Sequence, residues 1–157
     1  MGDYTMKINL IAIGKIKEQY IVDGIKEYQK RISRFAEFNL IELPDAPQGK
    51  SPEEQMDVEG KRLLEKAKGH VIILDGKGKN LSSDALATYV NKKCTEGVGE
   101  FSFLIGGSHG HNADTKSKAD LLLSFGAMTF PHQLFRLMLT EQIYRALTIN
   151  ANLPYHK

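Results

Sequence analysis

Cysteine is nearly absent from this chain: Cys94 is the only one in 157 residues. An internal disulfide is therefore excluded, and the usage fits a reducing, cytoplasmic setting. No apolar run approaches the roughly 18 residues of a membrane span. The N-terminus, MGDYTMKINLIAIG, lacks a basic segment followed by a long apolar stretch and a cleavage site, so no signal peptide is read. Neither sign of charge dominates. A net charge of +2 is too small to announce nucleic acid by itself. Lys15, Lys17, Lys26, Lys30, Arg31 and Arg34 crowd the first part of the chain, yet a solvated helix face explains them as well.

The common nucleotide and hydrolase motifs are missing too. There is no G-x-x-x-x-G-K-[ST], and no G-x-G-x-x-G follows the first apolar run, so a P-loop and the usual dinucleotide fingerprint are excluded. In GGSHG the serine follows two glycines directly, which breaks the G-x-S-x-G elbow of serine hydrolases. His109, His111 and His132 have no cysteine or carboxylate cluster at a zinc spacing, so no metal is expected. Cys94 stands beside Lys92 and Lys93 in a polar helical pattern without an obvious base, and reads as a bland helix position.

What remains is an ordinary globular composition, 41% hydrophobic and 25% charged, sized for a single domain over residues 1–157. Apolar, β-rich runs alternate with amphipathic helical patterns. Strands are expected at 7–13, 38–43, 70–75, 101–105 and 121–124. Helices are expected at 19–35, from 52 to about 68, from Ser82 or Ser83 to about 95, at 113–119, and from Pro131 to about 149. Ser51, Pro52, Glu53 and Glu54 together mark a helix start. This alternation implies an α/β fold with a largely parallel sheet. The last helix carries apolar residues on two sides, Leu134, Leu137 and Met138 against Phe135, Leu139, Ile143 and Ala146, so it should pack on its own sheet and on a second chain.

Ligands of open parallel sheets sit beyond the carboxyl ends of strands. Three loops leave such ends: DGKGK (75–79), GGSHGH (106–111) and SFGAMTFPHQ (124–133). Their glycines serve a turn as readily as a ligand cradle. With phosphate motifs absent, the loops suit a ligand held by backbone groups against an apolar wall of Leu74, Phe125, Met128 and Phe130. An adenosine-bearing cofactor without phosphate fits better than a nucleotide.

Several segments taken together carry a family resemblance. They are the MKI strand, LIELPD (40–45), LDGKGK (74–79), FLIGGSHG (103–110), SFGAMTFPHQLFR (124–136), EQIYRA (141–146) and the terminal PYHK. From about Met6 to Lys157 the chain resembles the ribosomal RNA large-subunit methyltransferase H family, of the SPOUT class. MGDYT lies outside that pattern and reads as an extension. The resemblance implies a Rossmann-like SPOUT fold with a C-terminal trefoil knot, a threading that pattern reasoning alone would reject. It implies a homodimer that binds S-adenosylmethionine and methylates N3 of a pseudouridine in 23S ribosomal RNA on the assembled ribosome. The cofactor contacts it implies are Leu74, Gly106 and the loop of Phe125, Gly126, Ala127, Met128, Thr129 and Phe130, with bare backbone at Gly106 and Gly107 letting the cofactor approach closely. His109 receives no fixed role.

Methylation at N3 requires loss of a proton, so a base or an electrostatic stabiliser is useful. The candidates are His132, Glu141, Arg145, Tyr155 and His156, with the tail pair Tyr155 and His156 expected to reach the partner's cofactor pocket. Alternative readings are a non-catalytic ribosome-binding factor with a retained pocket, and a SPOUT methyltransferase of transfer RNA.

Overall fold

The computed structural model describes residues 6–157. The expectation that residues 1–5 are an extension lies outside the described residues. Five strands, β1 (Lys7–Ile13), β2 (Glu37–Leu43), β3 (His70–Asn80), β4 (Glu100–Ile105) and β5 (Leu121–Ser124), form one sheet in the order β2-β1-β4-β3-β5. Every pairing is parallel. The central strands are buried almost throughout, as KINLIAI and EFSFLI require for a sheet covered on both faces.

Helices α1 (Gln19–Ile32), α2 (Pro52–Lys66), α3 (Ser83–Thr95), α4 (Ala113–Lys116) and α5 (His132–Asn150) cover the two faces. Ile8, Leu10 and Ala12 of β1 pack with Ile32 of α1, Leu86, Ala87 and Val90 of α3, and Leu139, Ile143 and Ala146 of α5. The alternate residues Ile11 and Ile13 pack with Leu63 of α2 on the opposite face. This split follows from the two-residue period of a strand. Local chemistry sets several helix starts. Ser51 accepts from the Glu54 amide while the Glu54 carboxylate accepts from the Ser51 amide, and Pro52 fills the first turn. Ser82 caps α3 by accepting from Ala85.

Three expected boundaries change. Helix α1 stops at Ile32 and α4 at Lys116, both followed by turns. Strand β3 continues to Asn80, whereas a loop was expected from residue 75. Leu123 of β5 is the register partner of both Leu74 and Lys79, so residues 75–78 arch out between two stretches of one ladder. A Cβ on Gly78 would stand 2.7 Å from the Leu122 carbonyl, so glycine is what lets the strand return to β5.

Both apolar sides of α5 find partners within the chain. Leu139, Ile143 and Ala146 face the sheet, while Leu134 and Leu137 pack on Ile16, Ile21 and Ile25. A Cβ on Gly24 would come within 2.8 Å of Leu137, so α1 and α5 cross closely there. Arg136 is buried between these sides. It donates from Nη2 to the Ile13 carbonyl (2.7 Å) and from Nη1 to the Gly14 carbonyl (2.9 Å) and Glu42 (3.1 Å). The start of α5 is thereby fixed over the carboxyl end of β1.

Candidate active site

Beyond the carboxyl ends of β3, β4 and β5 lies a cavity of about 200 Å³. Leu74, Ile105 and Leu123 form its floor, and Phe125, Phe130 and Phe135 form its apolar wall. Phe125 and Phe135 are in ring contact, with centroids 4.8 Å apart. The loop between β5 and α5 turns at Gly126, whose φ of +108° suits glycine. Ser124 stabilises that turn by accepting from the Gly126 amide at 3.0 Å. Its hydroxyl also lies 3.2 Å from the Gly76 carbonyl, which ties the turn to the arch of β3.

Of the eight expected cofactor contacts, Leu74, Gly106, Phe125, Gly126, Met128 and Phe130 line this cavity. Ala127 and Thr129 are exposed and are not among its lining residues. Met128 is 79% exposed, a large apolar side chain left at the rim. A second cavity of about 570 Å³ shares Leu123, Phe125 and Phe130 with the first and extends to Met138 and Glu141. The first alone is below the range of about 300 Å³ and upward usual for small-ligand sites. Phe125 and Phe130 form the wall that the two cavities share.

The glycines of the GGSHGH loop have a reason internal to the protein. A Cβ on Gly106 would stand 3.0 Å from His111 Cε1 and 3.1 Å from the Gly110 carbonyl. A Cβ on Gly107 would collide with the Glu59 carboxylate. Glu59, buried on α2, accepts from the Ala46 amide at 2.9 Å. Gly107 and Gly110 close the loop through a two-residue bridge, with the Gly110 amide donating to the Gly107 carbonyl at 3.0 Å. Packing of the loop onto α2 and onto itself therefore demands the bare backbone, whatever approaches from the cavity side.

His111 is a residue that sequence reasoning weighed only as a metal ligand. It lines the cavity, is 8% exposed, and its Nε2 is buried without a hydrogen-bond partner. Burial lowers its pKa, with Asp75 opposing. No cluster of three or more potential metal ligands exists among the described residues. Cys94 packs at the edge of the core, and burial raises its pKa, which disfavours the reactive thiolate.

The five catalytic candidates divide into two groups. His132 lines the first cavity at the first turn of α5, its side chain exposed and without a hydrogen bond to any described residue. Its neighbour Gln133 accepts from the Lys17 amide at 2.8 Å and anchors the loop after β1. Glu141, Arg145, Tyr155 and His156 form one connected cluster further along α5. Arg145 pairs with Glu141 at 2.6 Å, and the Tyr155 hydroxyl donates to the same carboxylate oxygen at 2.7 Å. The Arg145 guanidinium also stacks over the Tyr155 ring, 4.8 Å from its centroid. Arg145 Nη1 lies 3.0 Å from His156 Nδ1. A guanidinium only donates, so Nδ1 is the acceptor and Nε2 carries the proton, facing Asp84 at 3.4 Å. Burial and the bond to Glu141 raise the Tyr155 pKa and keep the phenol protonated. Glu141 links the groups in space, since it borders the second cavity.

The basic residues gather around α1. Lys15, Lys17, Lys26, Lys30 and Arg34 are exposed, and Arg31 pairs with Glu27 at 2.8 Å and reaches over the rings of Tyr28 and Tyr144. No helix among the described residues is long and apolar enough to cross a membrane.

Comparison with known proteins agrees with this geometry. The family model described as "Predicted SPOUT methyltransferase" matches residues 6–156. The protein named ribosomal RNA large subunit methyltransferase H in Streptococcus uberis is 44% identical over 162 residues, covering 97% of this chain and all of that one. Its namesake in Streptococcus pneumoniae TIGR4 is 44% identical over 159 residues with the same coverage. Among solved structures, a probable methylase family protein from Haemophilus influenzae superposes with a TM-score of 0.51 at 10% identity, over 98% of this chain and 70% of that one. That likeness supports the fold. The chain belongs to the ribosomal RNA large subunit methyltransferase H family of SPOUT methyltransferases.

Proposed function

We propose that this protein methylates N3 of a pseudouridine in 23S ribosomal RNA, using S-adenosylmethionine and acting as a homodimer on the assembled ribosome. The observation that carries the reading is the convergence of six expected contact residues on one apolar cavity over β3, β4 and β5, in a chain that matches its relatives over 97% of its length. The cavity suits the adenosyl group: its walls are apolar and aromatic, its loops offer backbone amides and carbonyls, and it includes an orphaned buried nitrogen. The trefoil threading of the last helix belongs to the same proposal.

When bound, the cofactor supplies an electrophilic methyl group on sulfur. The chain's task is positioning, exclusion of water and control of one proton. Phe125, Phe130 and Phe135 exclude water from the cavity. Of the five candidates, His132 has an uncommitted ring at the cavity and is the proton acceptor in this reading. Tyr155 keeps its proton and serves as a donor. His156 has its Nδ1 lone pair occupied by Arg145 and serves in positioning. The Glu141–Arg145 pair holds the tail on α5, and in the dimer this cluster faces the partner's cavity and finishes it, with Arg145 stabilising negative charge on the target base. The exposed basic residues around α1 contact phosphates.

The test is methyl transfer from labelled S-adenosylmethionine to assembled ribosomes, free large subunits and naked ribosomal RNA, all from cells lacking the modification. Transfer with assembled ribosomes preferred supports the reading. No transfer to any of them by a folded, cofactor-binding protein sinks the enzymatic assignment and favours a binding factor.

A further inference from the structure

An unpaired buried nitrogen at the mouth of a ligand cavity requires a reason. Leaving a buried polar atom unsatisfied costs about 1–3 kcal/mol, and such atoms are uncommon in folded proteins. Nε2 of His111 is one of two such side-chain atoms among the described residues. The other, Nε of Arg136, belongs to a guanidinium whose two remaining nitrogens are both hydrogen-bonded within the fold. His111 is different because it borders the cavity with Gly106, Gly107 and Gly110.

The chemistry of the missing partner follows from the ring's other nitrogen. The Leu74 backbone lies against the ring as an acceptor and raises its pKa, opposing burial. Nε2 has no partner, which leaves Nδ1 as the nitrogen to carry the hydrogen toward that acceptor. Nε2 is then a bare lone pair, able only to accept. Burial keeps the ring neutral at physiological pH. The charged groups facing it are Asp75 on β3 and Lys116 on α4, which lie 3.8 Å apart and offset one another. Its Cε1 edge occupies the space beside the bare Gly106 backbone, so a ligand laid on that backbone passes next to Nε2.

We propose that His111 Nε2 accepts a hydrogen bond from the adenosyl group of the cofactor, from its exocyclic amine or a ribose hydroxyl. This rests on the cofactor reading above and adds a side-chain anchor to a site otherwise built from backbone and apolar wall. His111 positions the cofactor and takes no part in proton transfer.

Calorimetric titration of the full-length protein with S-adenosylhomocysteine tests this, using the wild type, His111→Leu and His111→Gln. Leucine removes the acceptor and keeps the apolar bulk, whereas glutamine returns an acceptor oxygen near the position of Nε2. The expected result is roughly tenfold weaker binding for leucine and near-wild-type binding for glutamine. Analogues with hydrogen in place of the 6-amino, 2′-hydroxyl or 3′-hydroxyl group identify the donor. One of them should lose a similar factor with the wild type and nothing further with His111→Leu. Nitrogen NMR of wild-type His111 gives an independent reading that needs no variant. The Nε2 resonance should move from that of an unbonded lone pair to that of a hydrogen-bonded one when cofactor is added. An unchanged resonance, or equal affinity of His111→Leu and wild type, overturns the inference alone. A wild type that does not bind the cofactor overturns the cofactor reading and this inference with it.

Discussion

Tyr155, two residues from the end of the chain, donates its hydroxyl to Glu141 on α5 at 2.7 Å. That single bond, backed by Arg145 on the same carboxylate, turns a terminal segment into part of a defined surface. Chain ends without such ties are commonly frayed. The four groups of the cluster therefore behave as one unit.

If that unit completes the partner's cavity, subunits defective in different halves should complement each other. His156→Ala and Phe130→Asp proteins, each inactive alone, should regain about a quarter of wild-type methyl transfer when unfolded together and refolded as a mixture. Half of the dimers would then be mixed, each with one intact composite site. Absence of recovery in demonstrably mixed dimers would place both halves of the site in one subunit.

Arg136 should be a principal stabiliser. Replacing it with methionine keeps the stem but removes the guanidinium donors to the Ile13 and Gly14 carbonyls and leaves the Glu42 carboxylate with only the Ile16 amide. Breaking a buried pair from one side typically costs about 3–5 kcal/mol. Glu42 is 28% exposed, so a loss of about 3 kcal/mol in urea unfolding is expected. A loss below about 1 kcal/mol, the scale of a surface pair, would contradict the role assigned to it.

The Gly107→Ala protein should lose about 2 kcal/mol through overpacking against Glu59. The same substitution made in a Glu59→Ala background should cost markedly less, because the colliding carboxylate is gone. Thermal melts of the four proteins give the coupling directly. Additive costs would mean that the two residues do not meet.

Much of the fold was legible because its signals are local. The Ser51–Glu54 box, the Ser82 cap and the two-sided apolar pattern of α5 each lie within a few residues of what they specify. The cavity-lining loops were legible through their position after strands and through the family resemblance. What escaped depends on distant contacts. Gly78 looks like a turn residue until Leu122 lies against it, and β3 continues only because β5 pairs with it. Gly107 looks like a ligand cradle until Glu59 of another helix is packed beneath it. His111 was weighed only as a metal ligand, since nothing near it in sequence reveals that its ring is buried.

Stability should fall on mild acidification. Burial lowers the pKa of His70 and of His111 in the folded state, so the unfolded chain binds protons first as pH drops. Stability from these groups is complete above the unfolded histidine pKa of about 6.5 and is lost as pH falls through the lower folded values. Urea unfolding between pH 7.5 and 5, on the order of the histidine range, should show this decline. His111→Leu should flatten it, and an unchanged slope in that variant would assign the effect elsewhere.

The most direct test of the central claim is mass spectrometry of 23S nucleosides from bacteria that lack the endogenous modification and express this chain. The account predicts the appearance of N3-methylpseudouridine at one site, and its loss when Phe130 is replaced by aspartate. Ribosomal RNA that stays unmethylated despite abundant, folded, cofactor-binding protein would contradict it.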